Sequence, residues 1–103
     1  MHNKVLILFA NKLLDLYPLS SKTKATDLAL DQLVKGEYRI AGEFYTDLTG
    51  EAAAEEAFDI TNNPDRLQER EPILGRQRSL SVGDLVHTDG RFYLVQPTGW
   101  AIV

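Results

Sequence analysis

The 103-residue chain contains no cysteine. Disulfides and thiolate metal sites are therefore excluded, and a reducing compartment is the natural setting. It has two histidines, His2 and His87, far apart in the sequence. A zinc site needs three or four protein ligands at suitable spacing, so no metal centre is expected. Long apolar runs are missing as well. The longest near the start, residues 5–10, falls far short of the roughly 20 residues that span a membrane. No basic start followed by a small-residue cleavage site marks a secretory leader. A cytoplasmic protein with no membrane partner is expected. There is no phosphate-binding glycine loop, because Gly83, Gly90 and Gly99 stand singly. No local signature selects a nucleophile, a base and an orienter from the serines, His87 and the acids. The chain is read as a non-enzyme with no catalytic residue and no cofactor.

Positive charge is also missing from one stretch. Residues 40–65 carry seven acids (Glu43, Asp47, Glu51, Glu55, Glu56, Asp59 and Asp65) and no lysine or arginine. Residues 1–39 carry six basic and four acidic side chains, and residues 66–103 carry five arginines and four acids. The net charge is −4. The acidic block would repel phosphates, which argues against a duplex-binding face there.

The length suits one domain with a modest core. Residues 3–17 read as a helix, with a polar side at Lys4, Asn11, Lys12 and Asp15 and a stop at Pro18. The rival is a buried strand at residues 5–9, where the apolar residues are consecutive. A second helix starts at Ser21 or Thr23. Its apolar face is Leu28, Ala29, Leu33 and Val34, and Gly36 supplies the left-handed cap. Residues 1–36 are thus expected to form a helical N-terminal extension, whose apolar surplus suggests a homodimer.

Residues 37–48 then switch to period two, with Tyr38, Ile40, Phe44, Thr46 and Leu48 on one side. Gly42 in the middle marks a bulge or a close backbone approach. Thr49 is placed to cap a third helix over residues 50–61, stopped by Asn62-Asn63-Pro64. Residues 65–77 read as a short helical turn and then a surface loop. Asp89-Gly90 is a two-residue hairpin signal, which sets Val86 opposite Tyr93, Leu85 opposite Leu94 and His87 opposite Phe92. Pro97-Thr98-Gly99 turns the chain into a last strand. The predicted fold is α+β: N-terminal helices, then strand-helix, then a small antiparallel sheet with a C-terminal hairpin. Leu80, Val82, Leu85, Phe92, Leu94, Trp100, Phe58 and Phe44 form the expected core.

Three separated blocks then stand together. They are Glu55-Glu56-Ala57-Phe58-Asp59-Ile60-Thr61-Asn62-Asn63-Pro64, residues 75–86 with Ser79-Leu80-Ser81-Val82-Gly83-Asp84-Leu85-Val86, and Phe92-Tyr93-Leu94-Val95 followed by Gly99-Trp100. In this order they resemble the YodL-like family of small bacterial and bacteriophage proteins, with Leu85 where that family usually has valine. The resemblance covers roughly residues 37–103. It implies no activity and no catalytic residue. It does imply a phage or mobile-element setting, in which small acidic proteins act on host defence or host machinery.

Two surfaces are candidates for function. Glu43 and Asp47 on the strand, with Glu51, Glu55, Glu56 and Asp59 on the helix, would form one acidic face. Such a face could dock on a host bacterial protein, such as a nucleic-acid enzyme or a defence protein, or could be an ordinary solvated surface. Arg66, Arg70, Arg76 and Arg78 form the alternative, a basic loop for a nucleic-acid regulator. Nearby Asp65, Glu69 and Glu71 make a structural ion-pair network the competing reading. Ser79 and Ser81 are either ligand hydroxyls or local backbone partners. Trp100, Tyr45 and Tyr17 are the aromatics suited to an interface.

Overall fold

The computed structural model describes residues 3–11 and 22–103. In order these form β1 (Asn3–Ala10), α1 (Lys22–Val34), β2 (Tyr38–Thr46), α2 (Gly50–Asn62), a 3-10 turn (Pro64–Arg66), α3 (Leu67–Leu74), β3 (Leu85–Thr88), β4 (Arg91–Val95) and β5 (Trp100–Ile102). The fold mixes helices with one five-stranded antiparallel sheet, ordered β2-β1-β3-β4-β5. Expectations that fall on residues 1–2 and 12–21, including His2, Tyr17 and the Pro18 stop, lie outside the described residues.

The first element corrects the helical expectation for residues 3–17. Residues 3–10 form a strand, and it lies inside the sheet between β2 and β3. The consecutive apolar residues are the reason. Val5, Ile7 and Phe9 are fully buried on one face, against Ala53, Ala54 and Ala57 of α2 and Leu74 of α3. Leu8 is buried on the other, against Ala25 and Ala29 of α1. Each such side chain contributes about 1.5–3 kcal/mol on burial. Intrinsic helix preference differs by at most about 0.7 kcal/mol per ordinary residue. A conformation that buries both sides therefore prevails over one that buries a single stripe.

The described residues up to position 36 are consequently not a helical extension. They supply the interior strand β1 and the helix α1 that covers the sheet opposite α2 and α3. Within α1, Leu28, Ala29 and Leu33 face the core as expected. Val34 does not, at 80% exposure, and Ala25 takes the place assigned to it. Gly36 has the left-handed φ of a helix end, +77°.

β2 carries the bulge expected at Gly42. Ile7 pairs with Gly42, but Leu8 pairs with Ile40, so Ala41 is the extra residue. Cross-strand partners share a face. Ile40 therefore lies on the side of Leu8, and Phe44 lies on the side of Val5. The expected single row of Tyr38, Ile40, Phe44 and Thr46 is split by that one inserted residue. The close approach is present too. A Cβ built on Gly42 would lie 2.4 Å from the carbonyl oxygen of Ile73.

Thr49 has the extended backbone of a cap residue, but its hydroxyl makes no capping bond. Instead the Gly50 N–H donates to Asp89 Oδ2 at 2.9 Å. The helix end is thus satisfied by the hairpin turn. Residues 65–77, expected to be mostly loop, form the 3-10 turn and α3, with Pro72 inside the helix. Asn63 opens it by accepting from the Asp65 N–H at 3.0 Å. The hairpin has the expected register, and Asp89 and Gly90 have the positive φ of a primed turn, +54° and +72°.

Gly42→Ala is expected to destabilise the protein by about 1–3 kcal/mol, because the new methyl meets backbone that cannot swing aside. Urea unfolding with an unchanged midpoint would show that α3 is not held against β2 as described.

Candidate functional site

The six acids of the expected face divide by location. Glu43 shares its sheet face with Leu6, on the α1 side, and its Oε2 lies 3.0 Å from Lys4 Nζ. Asp47 follows the end of β2 and is exposed. The other four lie along α2. Glu51, Glu55 and Asp59 are exposed, and Glu56 is half-buried. The structure therefore brings together Glu51, Glu55, Glu56 and Asp59, and sets Glu43 on the opposite face of the sheet. α3 extends the group, because Glu69 and Glu71 are exposed and α3 packs beside α2.

The arginines do not form one surface. Arg66 binds Glu56, Asp59 at 2.8 Å and Glu69 at 2.6 Å. These hydrogen bonds, Glu69's foremost, hold its guanidinium well above its ordinary value. Arg70 donates to the Thr61 carbonyl at 2.8 Å, to Ser79 Oγ at 2.9 Å and to the Gln77 carbonyl. It pins the chain after α3 to the end of α2. Arg76 is exposed. Arg78 engages Asp84 with both terminal nitrogens, at 2.5 and 2.8 Å, and its guanidinium lies 4.0 Å from the centre of the Phe9 ring. That carboxylate raises the Arg78 value.

Asp84 is the residue the sequence reading missed. Gly83-Asp84 reads as a tight turn, and a turn is present, closed by the Asp84 N–H donating to the Ser81 carbonyl at 3.0 Å. The side chain does more. It is almost fully buried and accepts from the Ala10 N–H at 3.0 Å and the Ser81 N–H at 2.9 Å, besides Arg78. Tyr38 closes the same corner by donating its hydroxyl to the Gly83 carbonyl at 2.7 Å. Burial, and then the negative charge of Asp84, pushes that hydroxyl's value up. An Asp after Gly at a strand entry is an ordinary turn signal. Only the distant partners Ala10, Tyr38 and Arg78 reveal the buried charge.

The remaining candidates have local partners. Ser79 Oγ accepts from Arg70, and Ser81 Oγ lies 3.3 Å from Arg78 Nη1. His87 packs against Phe92, ring centres 4.5 Å apart. No three His, Cys, Asp or Glu side chains are grouped to hold a metal among the described residues. Among those residues, too, no helix is long and apolar enough to cross a membrane. Trp100 is buried in the core edge-on to Phe58, at 6.3 Å between ring centres. Its indole N–H reaches outward and donates to Glu55 Oε1 at 2.5 Å. Tyr45 is 61% exposed.

Arg78→Ala is expected to lower stability by about 2–4 kcal/mol. That lies somewhat below the usual figure for a broken buried pair, because Arg78 is half exposed and two backbone donors stay with Asp84. A loss under about 0.5 kcal/mol in chemical denaturation would contradict this role.

Glu69 offers a second check. Its hydrogen bond to Arg66 holds its carboxyl below the ordinary value. A depressed value means stabilisation that is present above the ordinary carboxylate value and lost as pH falls through the lowered one. Glu69→Gln should therefore melt below the parent at about pH 7, and the gap should close by about pH 2. A gap that persists in acid would mean that the pair contributes through packing and not charge.

No protein-family model, curated protein or solved structure matches the chain, and its resemblance to the YodL-like family rests on the motif residues alone.

Proposed function

We propose that this protein is a non-enzymatic binding module that docks its α2–α3 layer on a basic surface of a partner protein. One observation carries the reading. The stretch from Gly50 to Leu74 holds seven carboxylates and two arginines. Both arginines are half-buried and bonded to protein acceptors. The carboxylates Glu51, Glu55, Asp59, Asp65, Glu69 and Glu71 are exposed. One layer of the molecule thus carries the net negative charge, while the rest of the chain is close to neutral. A one-signed surface of this kind speeds encounter with an opposite surface and fixes its orientation. Following the resemblance to the YodL-like family, the partner is a bacterial host protein, and the setting is a phage or mobile element.

The nucleic-acid reading through the loop from Arg66 to Arg78 has less support. Arg66, Arg70 and Arg78 are bound to carboxylates or carbonyls. Releasing them for phosphates would break the contacts that hold α3 and the strand entry in place.

The test is affinity capture from bacterial lysate at low and at high salt, with the parent and with the double variant Glu51→Lys/Glu71→Lys. Attraction between exposed charges weakens as the Debye length shortens from about 10 Å at 0.1 M to about 3 Å at 1 M salt. One dominant protein is expected, lost at high salt and lost with the variant. A complex indifferent to both salt and charge reversal would end the acidic-face mechanism.

A further inference from the structure

The outer edge of α2 borders a cavity of about 220 Å³, closed on its far side by the turn between β4 and β5. Its apolar walls are Phe58, Val95, Pro97 and Trp100, and its polar groups are Glu55 and Gln96. We propose that this cavity seats an arginine side chain of the partner protein. The inference rests on the reading above in one respect, that the partner presents a basic surface.

Two features select this occupant. The first is the carboxylate. Glu55 Oε1 accepts the Trp100 indole N–H, which fixes the carboxylate beside the ring. Glu55 is exposed, and its Oε2 receives no hydrogen bond among the described residues. Glu51 and Asp59 stand one turn away on either side along the same stripe of α2. Like charges four residues apart disfavour a helix on its own, and a bound cation relieves that repulsion. Arg66 already serves Asp59 but not Glu55.

The second feature is the aromatic wall. A guanidinium stacks on indole and phenyl faces and donates in a planar fork that suits a carboxylate, and its stem packs on apolar residues such as Val95 and Pro97. An ammonium head lacks the planar match. A purely apolar ligand would leave the Glu55 charge uncompensated.

Trp100 is the only tryptophan of the chain and forms part of the wall, so its emission reports occupancy directly. The probe is Nα-acetyl-arginine N-methylamide, titrated into the full protein at constant ionic strength. Its uncharged counterpart is Nα-acetyl-norleucine N-methylamide. A saturable change in Trp100 emission is expected with the arginine compound. The norleucine compound should bind at least about tenfold more weakly, and so should the arginine compound to Glu55→Gln, since a charge-assisted bond is lost in both. Glu55→Gln keeps an acceptor for the indole N–H, and an unchanged thermal melt shows that it is folded. Equal binding of arginine and norleucine compounds would overturn the proposal, and so would the absence of any saturable change. Lysate capture with no partner alongside positive titration would reject the docking function and leave the arginine seat standing.

Discussion

The buried carboxylate of Asp84 is the constraint on which the arrangement of the sheet depends. A charge removed from water is tolerated only when it is paired and hydrogen-bonded. Asp84 meets that condition with groups from three separate parts of the chain: the Ala10 N–H at the end of β1, the Ser81 N–H of its own turn, and the guanidinium of Arg78. The chain entering β3 is thereby tied to the end of β1. The Gly83 N–H and Val95 carbonyl, and the Val95 N–H and Asp84 carbonyl, continue the tie to β4 at 3.0 Å each. Arg78 in turn covers the ring of Phe9, which is fully buried, and Arg39 lies 5.3 Å from the same ring centre. One polar cluster thus closes the end of the hydrophobic core nearest the Ser-Leu-Ser-Val-Gly-Asp segment.

The interior strand β1 makes the rest possible. β1 is flanked by β2 on one edge and β3 on the other, and its two faces are covered by different helices. Two separate cores follow from that position. The larger contains α2, α3 and the aromatic pair Phe58 and Trp100. The smaller holds α1 against Leu8, Leu85 and Leu94. The bulge at Ala41 lets β2 serve both cores, with Tyr38 packed on the smaller and Phe44 on the larger, and its neighbour Gly42 lets α3 come close enough to cover Phe44. Strand irregularity and helix placement are thus one feature seen from two sides.

The charge pattern acquires a different meaning once folded. In the sequence, the acids from Glu43 to Asp59 form one run and the arginines from Arg66 to Arg78 form another. In space, Arg66 folds back among the acids, Arg70 and Arg78 turn to backbone and Asp84, and Glu43 goes to the far face. The basic run becomes internal bracing. The acidic run becomes the outer surface of one helical layer, and beside Glu55 it meets the cavity walled by Trp100. Exposed ion pairs contribute only about 0.2–1 kcal/mol each. The exposed carboxylates of this layer therefore add little to stability.

Several features were determined by the sequence itself, because their causes are local. Asp89-Gly90 dictates a primed turn, and with it the pairing of Val86 with Tyr93. Asn62-Asn63-Pro64 stops α2, since the residue before proline is driven out of helical geometry. Gly42 announces a bulge because only a missing side chain permits the approach. The buried core positions Leu80, Leu85, Leu94 and Trp100 follow from alternation. Other features were decided only by tertiary structure. Residues 3–10 have apolar side chains compatible with helix or strand, and the choice came from having helices available to cover both faces. α3 shows little apolar face, contains Pro72, and is held through Arg66 and Arg70 by partners on the end of α2 and in the segment that follows α3. The role of Asp84 and the pairing of Glu55 with Trp100 span 45 residues or more. Local pattern encodes conformation at short range. A buried charge or a cavity is made by groups that meet only after the chain has folded.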